Sequence, residues 1–159
     1  MKKQGFTLIE LMVVIVIMGI LAAVAVPKLF GMIAKSKASE VPTAAGTWIN
    51  MQDAYFQEKG VVGDWNVIGY SGPGTKNTTY SYYSNVFEYS GTANSADWTA
   101  KARQKLNDCA KGGEWKLLAE NGTSNGDGTY VSFGIKDNGT GPTCKALTAS
   151  WDNLTRASN

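Results

Sequence analysis

The sequence predicts an α+β protein in which one long, kinked N-terminal helix packs against an antiparallel β-sheet, with an additional short helix in the head. Three observations support this fold class. Residues 6–59 carry helical patterning that begins in a run of apolar residues. From residue 60 onward the composition shifts to Gly, Asn, Ser, Thr and aromatic residues. Later segments alternate apolar and polar residues, as strands with one buried face do, so we expect a sheet that packs on the second half of the helix.

The first part of the helix is long and apolar enough to cross a membrane. Of the 21 residues from Phe6 to Val26, Glu10 alone is charged and 13 are Leu, Ile, Val or Phe. At about 1.5 Å per residue they span roughly 31 Å, close to the ~30 Å hydrocarbon thickness of a bilayer. These 13 residues favour insertion by roughly 4–8 kcal/mol, whereas Glu10 costs about 3 kcal/mol at most. Insertion is therefore favoured, and Lys2 and Lys3 predict a cytoplasmic N-terminus.

Helical patterning continues beyond this run as an apolar stripe on one face. Pro42 is expected to bend the helix or to mark a local break, and Gly60 is a candidate C-cap. We therefore divide the helix into residues 6–30, which have no domain of their own to pack on, and residues 31–60, which pack in the head. The stripe consists of residues spaced by three, four or seven positions, namely Val41, Ala45, Trp48, Ile49, Tyr55 and Phe56.

The head, residues 61–159, is predicted to begin with a Gly-rich loop that leads into strand sequence at 78–90. The short helix is expected at Ser95–Ala110, because Trp98, Ala102 and Leu106 share a face at helical spacing. The remaining strands are expected at 114–120, 128–136 and 143–151, the last two joined by a turn at Asp137, Asn138 and Gly139.

Composition excludes several kinds of chemistry. There is no His, so His-based metal sites and His-based acid–base catalysis are absent. Lys2 and Lys3 supply the whole net charge of +2, and the other 13 Lys and Arg balance 13 Asp and Glu. No basic excess remains to bind nucleic acid. No nucleophile–base pair is evident either, and we predict no enzymatic activity, cofactor or metal.

The two cysteines, Cys109 and Cys144, are far apart in sequence. A CxxC pair would indicate metal or redox chemistry, whereas this spacing favours one structural disulfide formed in an oxidising compartment. Closing a loop of this length contributes about 3–4 kcal/mol in the chain-entropy model. Two free buried thiols are the alternative.

Three interpretations of the N-terminus compete. A plain membrane anchor leaves Glu10 unexplained, and a secretory signal peptide cleaved after Ala23-Val24-Ala25 places an acidic residue inside its apolar region. The third uses every feature, because KKQG followed by FTLIE resembles the prepilin leader and N-terminus of the type IV pilin and pseudopilin family. This resemblance covers about residues 1–60.

The resemblance implies how the chain is processed and assembled. A prepilin peptidase would remove the leader, residues 1–5, by cutting between Gly5 and Phe6, and Phe6 would then be N-methylated. Glu10 would pair with the Phe6 amine of the same or a neighbouring subunit and so register the filament. Gly19 and Pro27 stand where the family has helix-loosening residues that let the helix extend.

The fold implied is pilin-like, and the function implied is that of a structural subunit, the major one, of a type IV pilus. The partners implied are identical subunits, the prepilin peptidase and the pilus assembly machinery of the inner membrane. The precursor would lie in that membrane and the assembled subunit in an extracellular filament. The alternatives are a pseudopilin of a type II secretion system and a membrane-tethered surface-binding module.

Three further patterns have plainer explanations. Asp127 among glycines suggests a calcium loop, but with Glu120 it falls short of the several spaced carboxylates such a loop needs. Asn77, Asn121, Asn138 and Asn153 match glycosylation sequons, which an Asn- and Thr-rich surface produces by chance. Aromatic residues that would form the surface-binding platform are more often divided between core and surface. They are Trp65, Tyr70, Tyr80, Tyr82, Tyr83, Phe87 and Tyr89.

Overall fold

The computed structural model describes residues 5–123, 129–135 and 142–154 of the chain. It opens with two consecutive helices, α1 (Leu8–Ala38) and α2 (Glu40–Lys59), separated at Ser39. Gly60 ends α2 in the left-handed conformation, with φ of 70°, and its N–H donates to the carbonyl of Phe56. The predicted long helix, its local break and its C-cap are therefore all present in the fold.

The head is built on a six-stranded antiparallel sheet in which each strand pairs with its neighbour in sequence. The strand sequence predicted at 78–90 folds as parts of three short strands. The strands predicted at 114–120 and 128–136 are confirmed within the described residues. Together with the long helix this is the predicted α+β architecture. The strands are β1 (Thr75–Thr78), β2 (Ser81–Tyr83), β3 (Phe87–Ser90), β4 (Asp97–Ala102), β5 (Glu114–Thr123) and β6 (Thr129–Ile135).

The core lies between α2 and one face of this sheet. The predicted apolar stripe faces it: Val41, Ala45 and Trp48 are fully buried, and Phe56 is nearly so. Trp98 and the other inward residues of β4 alternate with outward polar ones. Because burial along the helix begins only at Ala34, the head anchors α2 and the end of α1 and leaves the rest of α1 uncovered.

The predicted helix at Ser95–Ala110 is wrong. Residues Asp97–Ala102 form strand β4, which pairs with β3 on one side and β5 on the other. The apolar residues Trp98 and Ala102 are four apart, a spacing that fits a helix face and equally the period of two along a strand. Pairing on both edges decides for the strand, and Asn107, with φ of 53°, lies in the irregular turn that follows.

The predicted strand at 143–151 is also wrong. Its residues form a short helix, α3 (Pro142–Lys145), then turns, and a 3₁₀ helix at Trp151–Leu154. This C-terminal segment is held by side chains: the Trp115 indole N–H donates to the Thr148 hydroxyl at 2.8 Å, and Trp151 is buried against Trp98. The turn predicted at 137–139 lies outside the described residues.

The predicted disulfide joins Cys109, in the turn after β4, to Cys144 in α3. Both cysteines are buried. Gly113 passes directly over the bridge, and a Cβ at that position would lie 2.5 Å from Sγ of Cys144 and 2.7 Å from Sγ of Cys109. Glycine at 113 therefore allows the start of β5 to pack against the bridge.

We expect Gly113→Ala to lower the free energy of unfolding of the head by about 1–3 kcal/mol, because the new methyl group overlaps both sulfur atoms. Gly134→Ala on β6 is the matched control, since its Cβ would meet no atom within 4 Å. Urea unfolding of the full chain in detergent, followed by tryptophan fluorescence, measures both. Equal midpoints for the two variants would contradict the crowding at Gly113.

Side-chain hydrogen bonds secure the loop between α2 and β1. Gln52, fully buried in α2, uses its amide oxygen and nitrogen to bind the backbone N–H and carbonyl of Gly63. Asn121 on β5 accepts from the N–H of Val62 at 3.0 Å. The loop is thus fastened to both the helix and the sheet.

Asp64 ties this loop to the turns at one end of the sheet. Its carboxylate accepts from the backbone N–H groups of Asn66, Val67 and Asn94 and from the Tyr80 hydroxyl, all at 2.9–3.1 Å. Burial by itself would raise the pKa of the Asp64 carboxyl, but these four donors together hold the pKa below its usual value. The four hydrogen bonds therefore stabilise the deprotonated, charged form of Asp64.

Candidate functional site

The segment from Phe6 to Ile33, which includes most of α1, forms the largest exposed apolar surface among the described residues. Every large apolar side chain from Phe6 to Ile33 is between 43% and 86% exposed. These side chains surround the helix on all sides, so no single face is set aside for a core. Apolar surface on this scale marks contact with lipid or with other protein chains. The helix is long and apolar enough to cross a membrane by length and composition.

Glu10 lies in the first turn of α1 and folds back to the residue that caps the helix. Its Oε2 accepts from the backbone N–H of Thr7 at 2.8 Å and from the Thr7 hydroxyl at 2.7 Å. Thr7 Oγ1 in turn accepts from the Glu10 N–H at 3.4 Å, which completes a reciprocal capping box. The carboxylate therefore lies beside the amide that follows Phe6.

Thr7 is a site residue that the interpretation of the sequence missed. The signal was present as Thr7-Leu-Ile-Glu10, the S/T-x-x-E pattern of a capping box ahead of an apolar run. Glu10 is conspicuous by its charge, and the capping pattern that it forms with Thr7 is easily overlooked. The consequence is that Glu10 is already oriented toward the N-terminus within one subunit, before any neighbour is present.

Of the three positions predicted to loosen, bend or break the helix, only Pro42 lies next to an interruption in the described residues. The helix α1 runs without a break through Gly19 and Pro27, both exposed. Pro42 lies in the first turn of α2 and lacks an N–H for the carbonyl of Ala38, the last residue of α1. Ser39 between the two helices still donates its N–H to the Lys35 carbonyl at 3.0 Å.

Two buried tyrosines, Tyr89 in β3 and Tyr70 in the loop before β1, connect the head to the helix just after this break. The Tyr89 hydroxyl donates to Oε1 of Glu40 at 2.8 Å, and the Tyr70 hydroxyl donates to the carbonyl of Ala44 at 3.1 Å. Burial raises the pKa of Tyr70 to about 12, and burial with the neighbouring Glu40 carboxylate raises the pKa of Tyr89 further. Both hydroxyls therefore stay protonated near neutral pH and can donate the hydrogen bonds that hold the junction to the head.

The aromatic residues considered as a binding platform lie mostly in the core. Five of the seven are buried, and Tyr80 and Tyr83 are half-buried. The Tyr83 ring carries the Arg103 guanidinium at 4.8 Å, and Tyr80 is bound to Asp64. Trp65, in the loop before β1, packs against Tyr70 of the same loop and Tyr82 of β2. This arrangement removes the observation that favoured a surface-binding module. The five buried members are Trp65, Tyr70, Tyr82, Phe87 and Tyr89.

Within the described residues no group of three or more metal-ligating side chains occurs. The glycine-rich segment around Asp127 lies outside those residues, and Glu120 is exposed on β5. The sites with geometry to interpret are therefore the apolar α1 helix, the Thr7–Glu10 box and the bridge between Cys109 and Cys144.

Comparison with known proteins agrees with this geometry. Residues 1–26 match the family model described as the prokaryotic N-terminal methylation motif. Over 128 residues the chain is 38% identical to the fimbrial protein EcpC of Eikenella corrodens, an alignment that covers 80% of this chain and 79% of that protein.

Two further relatives match this chain over less than half of its length. The type IV major pilin protein PilA of Myxococcus xanthus is 44% identical over 71 residues, which are 44% of this chain and 32% of that protein. The type IV major fimbrial protein FimA of Dichelobacter nodosus is 52% identical over 44 residues, 28% of either chain. With a methylation motif, an apolar helix and a fimbrial relative aligned over most of its length, the chain belongs to the type IV pilin family.

Proposed function

We propose that this protein is the major structural subunit of a type IV pilus, and that it polymerises through the exposed part of α1. The observation that carries the proposal is the segment from Phe6 to Ile33, whose large apolar side chains are all exposed and are not covered by its own head. Exposure of this much apolar surface to water is unfavourable, so lipid or other apolar protein surface has to cover the helix. In the membrane lipid covers it, and in the filament identical helices cover it. Relatives named as major pilins support the same role, and we propose no enzymatic activity.

The Thr7–Glu10 capping box explains how a carboxylate is tolerated both in the membrane and in the filament. In the membrane Glu10 has two donors from its own chain, which offset part of the cost of removing it from water. In the filament a neighbouring amine reaches the carboxylate where Thr7 holds it, near the N-terminus. Because one axial stagger brings amine and carboxylate together, the pair acts as a register device more than as a source of stability.

We propose that a prepilin peptidase cuts between Gly5 and Phe6 and that Phe6 is N-methylated before assembly. The inner membrane and its assembly machinery are the partners of this stage, and Gly19 and Pro27 are the positions at which the helix extends as it leaves the bilayer. The methylation motif over residues 1–26 supports this proposal. The amine so formed is an α-amino group, a class that is ordinarily mostly cationic at neutral pH.

Gly5→Leu should leave the leader in place and keep the subunit in the membrane, because a bulky side chain stands at the position where the peptidase needs glycine. Intact-mass measurement of membrane and filament fractions checks this. The native chain should lose residues 1–5 and gain one methyl group. A mature chain that begins at Val26 would instead establish a secretory signal peptide and overturn the proposal.

A pseudopilin of a type II secretion system is the second candidate, because it uses the same N-terminal helix. Electron microscopy of filaments sheared from intact cells, with mass spectrometry of their main component, separates the two. We expect this chain to be that main component. Its absence from long surface filaments, with secretion lost on deletion, would favour the pseudopilin.

A further inference from the structure

We infer that Lys28 fixes the depth of α1 in the bilayer by lying among the phospholipid phosphates of the outer leaflet. This inference rests on the membrane stage of the proposed function. The feature that requires explanation is the length of the exposed apolar helix. From Leu8 to Ile33 it contains 26 residues. At about 1.5 Å per residue that is roughly 39 Å, well beyond the ~30 Å of hydrocarbon.

Apolar character alone therefore leaves the position of the helix undefined by several ångströms. The surface does not become polar after the first 20 residues, since Leu29, Phe30 and Met32 are still 56–61% exposed. Burial in the head begins at Ala34. The helix can in principle sit with either end of this apolar stretch in the hydrocarbon, and charge has to select between the two.

Between Phe6 and Ala34 the charged residues are Glu10 and Lys28. Eighteen positions apart, their Cα atoms are separated by about 27 Å along the axis. The Glu10 carboxylate folds back to within 2.8 Å of the Thr7 nitrogen, so it lies about one turn nearer the N-terminus than its own Cα. The Glu10 carboxylate and the Lys28 Cα are thus about 31 Å apart along the helix axis, which matches the hydrocarbon thickness.

The two charges oppose sliding in opposite directions. Movement outward draws Glu10 into the hydrocarbon, whereas movement inward, which would bury residues 29–33, draws in Lys28. A side chain on a helix leans toward the N-terminus, which for Lys28 is toward the bilayer centre. The ammonium therefore reaches the surface easily only if the backbone at 28 is itself at the interface. At the interface the Lys28 ammonium would bind phosphate oxygens of the lipid headgroups. Residues 29–33 would then lie in the headgroup layer, between the hydrocarbon and the head of the protein.

Thiol labelling of the full precursor in phospholipid vesicles tests this depth. Both native cysteines are in the disulfide, so an introduced cysteine is the single free thiol. With Lys28 present, Phe30→Cys should react with a membrane-impermeant maleimide added on the side of the head. With Lys28→Leu the helix should slide inward, and the reaction at position 30 should slow at least about tenfold.

Lys28→Arg keeps the charge and should preserve the labelling rate, as should Lys35→Leu, the matched removal of a lysine two turns further along. If Phe30→Cys reacts equally with Lys28 and with Lys28→Leu, or is already unreactive with Lys28, the inference is wrong. Val16→Cys separates this failure from that of the proposed function. It should be unreactive in every background, and its labelling would show that the helix is not in the membrane at all.

Discussion

Glu10→Ala should reduce the yield of filaments by at least about 100-fold, the ratio that corresponds to the loss of about 3 kcal/mol from a buried ion pair. The variant lacks the charge that attracts and registers a neighbour's Phe6 amine. Its level in the membrane should be unchanged or higher, because the substitution removes a carboxylate that opposes insertion. The ratio of filament subunit to membrane subunit, measured by immunoblot after shearing, is the quantity to compare.

Two further variants show which property of the side chain matters. Glu10→Gln keeps the size and can still accept from Thr7, but it cannot form an ion pair, so it should assemble nearly as poorly as Glu10→Ala. Glu120→Ala, which removes an exposed carboxylate on β5, should assemble normally. Normal filaments from Glu10→Ala would show that the carboxylate is not needed for polymerisation.

Replacement of both Cys109 and Cys144 by Ala should lower the free energy of unfolding of the head by about 3–4 kcal/mol. The bridge joins residues 35 apart, and its removal gives the unfolded chain that much more freedom. For a head whose total stability is about 5–15 kcal/mol, this is the largest loss we expect from a change outside the helix. Alanine is preferred to serine because both positions are buried and a hydroxyl there would need a partner.

Urea unfolding of the full chain in detergent, with and without a reductant, measures this effect. Reduction should lower the midpoint of the native chain toward that of the double variant and leave the variant unchanged. A native chain whose midpoint does not respond to reduction would show that the C-terminal segment is held by Trp151 and Thr148 and not by the bridge.

The N-terminal helix could be predicted from sequence because one local pattern determines it. A run of apolar residues, a stripe at helical spacing and Gly60 each act within a few positions, and the observed bounds follow them. The disulfide could be predicted because the sequence has two cysteines, which allow one pairing, and because their wide spacing does not suit a metal or redox motif. Glu10 stood out because a charge in an apolar run is conspicuous.

Elements of the head that depend on distant contacts were not predictable. Trp98 and Ala102 fit either a helix or a strand, and only the strands on both sides of β4 settle the choice. The segment after Cys144 has strand-like composition, yet the bridge and the burial of Trp151 hold it in short helical turns. In both places tertiary contacts override local preference, and one sequence does not contain those contacts explicitly.

The sequential order of the strands affects how soon after synthesis the head of the subunit can fold. Since β1 to β6 each pair with the strand next to them in the chain, the sheet can form hairpin by hairpin as the polypeptide emerges from the membrane, with little loop entropy to overcome. The contacts of α2 with β6, and after them those with the 3₁₀ helix at Trp151–Leu154, close the structure last, when the C-terminal end arrives. If α1 is in lipid at this stage, as the proposed function has it, the sheet should form quickly while α1 remains there, so that subunits accumulate with a folded head before they are assembled.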